Sequence, residues 1–293
     1  MQQLNIILQS SPELFTVLIL IIGLLVGSFL NVVIYRLPVM MDIGWKKECK
    51  EYLELEDTDT DTDSEPFNLM VPLSRCPSCQ SAIKPYQNIP VLSYVFLKGK
   101  CANCSTHIAL RYPLIEAFTG IASAMVAWQF GYTIATLFAL ILTWSLIALS
   151  FIDIDHQLLP DSITLPVLWL GLFLSIFSIY TDTTASIIGA IAGYLSLWIV
   201  YHLFKLVTGK EGMGFGDFKL LSLFGAWLGW QYLPLIILLS SLVGAIIGIS
   251  MIILTKKDRN IPIPFGPYLA AAGWLALLWG DKINTLYLST VGL

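Results

Sequence analysis

Long uncharged stretches separated by short polar segments dominate the chain. They cover residues 14–35, 117–152, 162–181, 183–204, 220–255 and 260–280. An α-helix rises about 1.5 Å per residue and the hydrocarbon core of a membrane is about 30 Å thick, so about 20 such residues make one crossing. The two runs of 36 residues are too long for one helix, and breaks within 129–132 and 229–234 divide each into a hairpin. The pattern therefore predicts an all-α polytopic membrane protein with eight transmembrane helices.

Composition excludes a water-soluble enzyme. Apolar residues make up 56% of the chain and charged residues 12%, whereas about 25% of the residues in soluble domains are charged. The first apolar run is longer than the hydrophobic region of a signal peptide, and no Lys or Arg precedes Arg36. We therefore interpret this run as a permanent span and not as a cleaved signal.

Basic residues orient the predicted spans. Fifteen of the sixteen lie between spans one and two, five and six, or seven and eight, and only Lys282 lies on the other side. Because short cytoplasmic loops are enriched in Lys and Arg, these three segments are predicted to be cytoplasmic and both termini extracytoplasmic. The formal net charge of -4 mostly reflects nine acidic residues within 48–65, and nothing in it indicates a nucleic-acid partner.

One polar segment, residues 37–111, is long enough to be a domain. We divide the chain into a first transmembrane helix (1–36), a cytoplasmic insertion (37–111) and a seven-helix membrane domain (112–293). Within the insertion, the acidic residues 48–65 lack the glycine and the terminal glutamate of a calcium-binding loop. They are predicted to form a disordered acidic linker.

Cysteines in the insertion form two C-x2-C pairs that 21 residues separate. The pairs consist of Cys76, Cys79, Cys101 and Cys104. This spacing predicts a zinc-ribbon-like site, in which four thiolates close the tetrahedron and leave zinc a structural role. Redox pairs or disulfides are alternatives, but disulfides are rare in the cytoplasm and no thioredoxin pattern surrounds these cysteines. His107 can replace a thiolate, although a solvated loop histidine is the simpler interpretation, and Cys49 is interpreted as a free thiol.

Two short segments place carboxylates at the cytoplasmic ends of predicted spans. Asp153 ends span three, and Asp217 follows glycines at 212, 214 and 216 at the start of span six. Ionisable residues at membrane depth are costly and therefore mark functional sites. Two carboxylates within hydrogen-bonding reach share one proton, as in the acid–base machinery of an aspartic protease. The glycines lack Cβ atoms, so an extended peptide can approach closely.

Structural explanations exist for the same residues. Asp161 follows Pro160 and precedes an apolar run, as a helix N-cap does, and Asp155 is most simply a solvated interfacial charge. Asp153 can have the same interfacial role, and the glycines can form a helix-packing face. The glycine run also suggests a dinucleotide-binding loop, but no strand precedes it.

Together these motifs resemble the type IV prepilin peptidases, which are bifunctional leader peptidases and N-methyltransferases of type IV pilus and type II secretion systems. The resemblance covers nearly the whole chain. Besides the two cysteine pairs, it rests on residues 27–38 (GSFLNVVIYRLP), 88–94 (NIPVLSY), 111–116 (RYPLIE), 153–161 and 214–217 (GFGD).

The resemblance implies a membrane aspartic protease of the GxGD type, in which Asp217 is the second catalytic aspartate. The first is Asp153, seven residues before Pro160, with Asp155 and Asp161 as neighbours. It also implies an enzyme of the bacterial inner membrane that cuts prepilins and pseudopilins on the cytoplasmic face, after the glycine that ends a short basic leader. The new N-terminal residue, usually Phe, is then methylated with S-adenosylmethionine.

Methyl transfer rests on this resemblance alone, because the insertion has no room for a Rossmann-type methyltransferase domain. Two other functions remain open on the residues. A transporter that moves protons on its acids predicts inverted repeats and helices broken at mid-membrane, whereas these acids cluster at one face. A zinc-anchored membrane scaffold without catalytic activity would keep its function after Asp153→Asn and Asp217→Asn.

Overall fold

A computed structural model describes residues 8–54, 67–255 and 264–291. Within these residues every regular element longer than an isolated bridge is a helix, which confirms the predicted all-α class. The chain forms two compact units, Met1–Leu140 and Ile141–Leu293.

Two long helices form most of the first unit. They are α1 (Pro12–Tyr52) and α3 (Arg111–Phe130), with a 3-10 helix (Pro85–Asn88) and the short α2 (Leu92–Phe96) between them. Glycine lets α1 and α3 pack closely, because a Cβ on Gly27 would lie only 2.8 Å from Glu116 Cα. Small residues at such contacts are typical of membrane helix pairs. The cysteine-containing insertion thus lies between the first two long helices, as predicted.

Helix α1 is longer than its apolar run predicts. It continues through polar sequence to Tyr52. Lys46 and Asp42, one turn apart, favour this extension through an ion pair of 2.6 Å. The linker predicted for 48–65 is therefore wrong in its first part, which is helical. Its repeated aspartates fall within 55–66, outside the described residues.

Arg36 ties α1 to the insertion. Its buried guanidinium donates hydrogen bonds to the backbone carbonyls of Asn68 (2.9 Å), Leu69 (3.4 Å) and Pro72 (2.6 Å). The same guanidinium lies 5.8 Å from the centre of the Phe67 ring, within the range of a cation–π interaction. Arg36 therefore fixes residues 67–72, the first described residues after the gap at 55–66, to α1.

The second unit contains most of α4 and five further long helices. They are α4 (Ile134–His156), α5 (Asp161–Ser175), α6 (Thr183–Thr208), α7 (Phe215–Leu228), α8 (Leu233–Thr255) and α9 (Gly266–Val291), with a 3-10 turn (Trp230–Tyr232) before α8. Gly131 follows α3 and Gly229 follows α7, with φ of 61° and 87°. Glycine adopts such values without strain, and the breaks predicted within the two long apolar runs are confirmed as helix ends.

Helix α7 forms the core of this second unit. Nearly all of its side chains are buried. It packs so closely on α6 that the backbones of Gly189 and Gly225 meet. One turn earlier on α7, Ser222 Oγ donates a hydrogen bond of 2.7 Å to Ala190 O on α6. A helix packed this closely is a rigid support for the residues at its N-terminal end.

Among the described residues, four helical stretches are long and apolar enough to cross a membrane, and α5 is apolar but shorter. The four are α1, α4, α6 and Trp230–Ser250. Apolar side chains also cover much of the outside of the helices. On α1, Ile21, Leu25 and Phe29 lie one turn apart and are each about half exposed. Large apolar surfaces of this kind are unfavourable in water and are expected where a protein contacts lipid.

Candidate active site and metal centre

Asp153 lies in the last turn of α4 and is only 6% exposed. Its Oδ2 accepts a hydrogen bond of 3.0 Å from the backbone N–H of Gly266, the first residue of α9. A Cβ on Gly266 would lie 2.7 Å from the same oxygen. The Asp153 carboxylate is therefore held against the first turn of α9, at a position where glycine provides no side chain.

Asp217 lies in the first turn of α7 and is 7% exposed. The Asp153 carboxylate lies near enough for the two charges to interact. Leu159 packs between Gly216, which precedes Asp217, and Gly266, whose N–H binds Asp153, because a Cβ on Gly216 would lie 2.8 Å from Leu159 Cβ. A Cβ on Gly266 would in turn lie 3.2 Å from Leu159 Cδ2. The structure thus brings the two predicted carboxylates together in the second unit.

The two glycines of the Gly-x-Gly-Asp sequence have different surroundings. Gly216 is packed against Leu159, whereas Gly214 is exposed at the N-cap of α7. A Cβ on Gly214 would meet nothing nearer than Asp217 Oδ2 at 3.8 Å. A peptide backbone can therefore approach Asp217 from the side of Gly214.

The neighbouring aspartates differ from this pair. Asp155 and Asp161 are both exposed. Asp161 is the first residue of α5 and its side chain does not cap the helix, so the N-cap interpretation is wrong. Instead, both of its carboxylate oxygens accept hydrogen bonds of 2.7 Å from Lys219 Nζ. Of the three aspartates between 153 and 161, Asp153 alone is buried.

The four predicted cysteine ligands form one cluster in the first unit. The Sγ atoms of Cys76, Cys79, Cys101 and Cys104 all lie within 4.8 Å of one another. The distance between the sulfur atoms of Cys76 and Cys104 is 3.7 Å. Four thiolates about 2.3 Å from one tetrahedral zinc ion would have sulfur atoms about 3.8 Å apart. The cluster therefore has the dimensions of a four-thiolate metal site.

The two C-x-x-C loops also have the same backbone pattern. Gln80 N–H donates to Cys76 O (2.9 Å) in the first loop, and Ser105 N–H donates to Cys101 O (3.0 Å) in the second. Gln80 and Ser105 both have a φ of 57°. Two copies of one loop thus direct their sulfur atoms to a common centre, as expected of a pair of metal-binding knuckles.

Local hydrogen bonds favour the thiolate form of two of these cysteines. The Ser81 hydroxyl, 3.0 Å from Cys79 Sγ, is the main group that lowers the pKa of Cys79 to about 6. The backbone N–H groups of Cys104 and Asn103 lower the pKa of Cys101. A thiolate is the form that binds a metal ion, so the donor set fits a soft divalent cation.

Neither His107, the alternative ligand, nor Cys49, which was interpreted as a free thiol, belongs to the cluster. His107 is exposed, and its backbone pairs with Lys100 in an isolated bridge. Cys49 is exposed on the polar end of α1. Among the described residues, the group that can hold a metal ion here consists of the four cysteines alone.

Comparison with known proteins decides between the functions that the residues left open. Residues 21–130 match the bacterial peptidase A24 N-terminal domain, and residues 140–249 match the type IV leader peptidase family. The chain is 54% identical over 285 residues to the prepilin leader peptidase/N-methyltransferase of Stutzerimonas stutzeri, with 96% of each chain covered. The chain belongs to the type IV leader peptidase family.

Other members of the type IV leader peptidase family are also similar over most of the chain. The prepilin leader peptidase/N-methyltransferase of Pseudomonas aeruginosa is 54% identical, with 97% of each chain covered. The protein of the same name from Neisseria gonorrhoeae is 51% identical, with 90% of each chain covered. No solved structure matches the chain. The resemblance identified in the sequence is confirmed, and the chain is an integral membrane enzyme of this family, which favours the peptidase over the transporter and the scaffold.

One part of the candidate site is missing from the sequence prediction. Gly266, which contacts Asp153 in the structure, lies in a Pro-Phe-Gly-Pro sequence at residues 264–267. Glycine and proline close together in an otherwise apolar run are a local signal of a turn or helix boundary. The pairing itself is not predictable, because 113 residues separate Gly266 from Asp153.

Proposed function

We propose that this protein is a membrane aspartic endopeptidase that removes the leader of type IV prepilins and pseudopilins and then N-methylates the new N-terminal residue. The observation that carries the proposal is the juxtaposition of buried Asp153 and buried Asp217 at the ends of two helices. The names of relatives with 54% identity support both activities and the substrate class.

In the proposed peptidase reaction the aspartates share one proton. Two carboxylates that lie this close cannot readily both ionise. Because Asp153 already accepts the Gly266 N–H, we assign it the ionised role, in which it takes a proton from the attacking water. Asp217 then carries the shared proton and donates a hydrogen bond to the scissile carbonyl. The exposed face of Gly214 would hold the substrate backbone.

We propose a zinc ion for the four cysteines Cys76, Cys79, Cys101 and Cys104. A set of four thiolates is typical of structural zinc and leaves no open position for substrate. The ion would therefore stabilise the insertion and take no part in peptide cleavage. Support comes from the sulfur separations and from the matching backbone of the two loops.

We further propose the topology that the basic residues predict. The enzyme would lie in the bacterial inner membrane with eight spans, with lipid around them, the aspartate pair and residues 37–111 on the cytoplasmic side, and both termini outside. Residues 1–36 would form the first span, 37–111 the metal-binding part associated with methyl transfer, and 112–293 the seven-helix peptidase part. S-adenosylmethionine would supply the methyl group, since the relatives are named as methyltransferases.

One experiment tests both activities. The purified chain in a lipid nanodisc is given a synthetic prepilin and S-adenosylmethionine with a labelled methyl group, and leader loss and label incorporation are followed separately. We expect complete leader removal and one methyl group on the new N-terminus. An intact prepilin after prolonged incubation would contradict the peptidase assignment, and a cleaved but unlabelled product would contradict methyl transfer.

A further inference from the structure

Glu116 is a buried carboxylate that the peptidase reaction does not use. It lies in the second turn of α3, in the first unit, and is 8% exposed. Its Oε2 accepts a hydrogen bond of 2.7 Å from the backbone N–H of Val91, and Ser28 lies near the carboxylate. Gly27 on α1 packs directly on its Cα.

Three sequence motifs therefore meet at one carboxylate. Residues 27–38, 88–94 and 111–116 carry much of the family resemblance, yet none of them belongs to the aspartate pair or to the cysteine cluster. The first motif supplies Gly27, the second supplies Val91 and the third supplies Glu116. Their convergence indicates a second chemical centre, built from residues that the proposed peptidase site leaves unexplained.

The backbone at Val91 supports this interpretation. Val91 has a φ of 60° and a ψ of -48°, a conformation that is an outlier for a β-branched residue. The Leu92 N–H donates to Pro90 O at 2.6 Å, which closes the strained form of a γ-turn around Val91. Strain of this kind persists only where the surroundings hold it, and it is concentrated at functional sites. Here the Glu116 carboxylate holds the turn through the Val91 amide.

The chemistry of N-methylation requires a group of this type. Cleavage of a peptide bond creates a new α-amine, whose ordinary pKa of about 7.7–8.0 leaves much of it protonated near neutral pH. An ammonium group has no lone pair, so it must lose a proton before it can accept a methyl group. A carboxylate both binds an ammonium group and accepts its proton.

We propose that Glu116 is the carboxylate that binds the newly formed α-ammonium group of the cleaved substrate and removes its proton for methyl transfer. The ligand class is a primary α-amine at a peptide N-terminus. A carboxylate has about four lone-pair positions, and the hydrogen bond from Val91 uses one of them. The inference rests on the proposed methyltransferase function. It extends the part of the chain associated with methyl transfer from residues 37–111 into α3.

Protons and electron pairs are conserved in the proposed methyl transfer. Glu116 takes one proton from the ammonium group and becomes neutral. The freed nitrogen lone pair then forms the new N–C bond, and the electron pair of the broken S–C bond stays on the sulfur of the S-adenosylmethionine. The product is a protonated secondary amine, and Glu116 returns its proton to solvent.

A binding experiment tests the contact without any methyl donor. The full-length chain in nanodiscs is titrated with a synthetic peptide that has the N-terminal sequence of a mature type IV pilin, and with its N-acetylated twin. We expect the wild-type chain to bind the free amine about tenfold or more tightly, because a charge-assisted hydrogen bond is lost on acetylation. Glu116→Gln should abolish this preference. Its amide oxygen still accepts from Val91, so a purely structural role would leave the preference unchanged.

A second measurement follows methyl transfer and cleavage in the same variants. Glu116→Gln should lower label incorporation into the precleaved peptide about 100-fold or more, as expected on loss of a general base, while prepilin cleavage and zinc content report that the chain is folded. The exposed Glu51 provides the matched control, since Glu51→Gln should leave the amine preference and methyl transfer unchanged. Undiminished methyl transfer in Glu116→Gln would overturn the inference.

The outcomes separate this inference from the proposed function. Absence of methyl transfer in the wild-type chain would refute the methyltransferase assignment itself. Methyl transfer by the wild-type chain without any preference for the free amine over the acetylated peptide would refute the role of Glu116 alone. This last comparison needs no variant, so the inference can be refuted even if Glu116→Gln does not fold.

Discussion

The backbone N–H of Gly266 donates a hydrogen bond of 3.0 Å to Oδ2 of Asp153, although the two residues lie 113 positions apart. The first residue of the last described helix is thus part of the candidate active site. Because the contact comes from the backbone, the chemical requirement at position 266 is the absence of a side chain: a Cβ there would lie 2.7 Å from the carboxylate oxygen.

Gly266→Ala is therefore expected to impair cleavage without removing any catalytic group. The added methyl group would push the Asp153 carboxylate away from its amide donor, and small displacements of reacting groups cost about 100-fold in rate. We expect the loss in kcat for prepilin cleavage, with KM nearly unchanged. Methylation of a precleaved pilin should be unaffected.

Gly44 provides the matched control for this substitution. It is a helical glycine on α1, and a Cβ added to it would meet no atom within 4 Å. Gly44→Ala should therefore leave cleavage at the wild-type rate. Normal cleavage by Gly266→Ala would show that the Asp153 carboxylate does not depend on the start of α9.

Asp153 and Asp217 are each expected to be essential for cleavage. An Asp→Asn change keeps the shape of the side chain but removes a member of the proton-sharing pair, and general acid–base catalysis is typically worth about 10²–10⁴-fold in rate. Prepilin cleavage by Asp153→Asn and by Asp217→Asn should fall by at least this factor. Both variants should still methylate a mature pilin, since that reaction does not involve the pair.

Asp155 and Asp161 serve as internal controls for this assignment. Both are exposed, and Asp161 is paired with Lys219. Exposed ion pairs contribute only about 0–1 kcal/mol, so Asp161→Asn should lower the rate of cleavage less than tenfold. If Asp153→Asn cleaved normally while one of these two variants did not, the first catalytic aspartate would have to be reassigned.

Loss of any cysteine of the cluster is expected to release the metal ion. In such a small insertion the free energy of metal binding contributes directly to the free energy of folding. Cys76→Ser and Cys101→Ser should therefore abolish stoichiometric zinc and increase proteolysis within 67–110. Cys49→Ser is the control, because Cys49 lies outside the cluster. Elemental analysis of the purified variants measures the result, and full zinc occupancy in Cys76→Ser and Cys101→Ser would refute the site.

Methyl transfer should suffer more than peptide cleavage in these cysteine variants. The cysteine cluster and the Glu116 centre belong to the first compact unit, whereas the aspartate pair belongs to the second. Separate assays of leader loss and label incorporation test this order. Equal losses in both activities would indicate that zinc stabilises the entire chain.

Local patterns account for the parts of the fold that could be predicted from the sequence. Gly131 and Gly229 end helices because each follows an apolar run and adopts a positive φ, and the cysteine spacing directly encodes two equivalent loops. The contacts of Gly266 with Asp153 and of Val91 with Glu116 could not be predicted, because they depend on tertiary packing between distant segments. The extension of α1 to Tyr52 was missed because polarity marks the end of an apolar run and not the end of a helix.

The final prediction concerns the side of the membrane on which each segment lies. Fifteen of the sixteen basic residues fall in three segments that the topology places together, and short loops rich in Lys and Arg are retained in the cytoplasm. One further cysteine can be introduced at the exposed position Ser10 or Lys210 of the Cys49→Ser chain, and its labelling is measured against that of Cys49→Ser itself, which keeps the four cluster cysteines. In intact cells, an impermeant thiol reagent should label Ser10→Cys and should reach Lys210→Cys only after the inner membrane is permeabilised.

Both variants must still cleave prepilin, so that only folded enzyme is compared. Protection of Ser10→Cys in an active enzyme, or labelling of Lys210→Cys from outside, would place the termini or the aspartate pair on the opposite side and require the topology to be inverted.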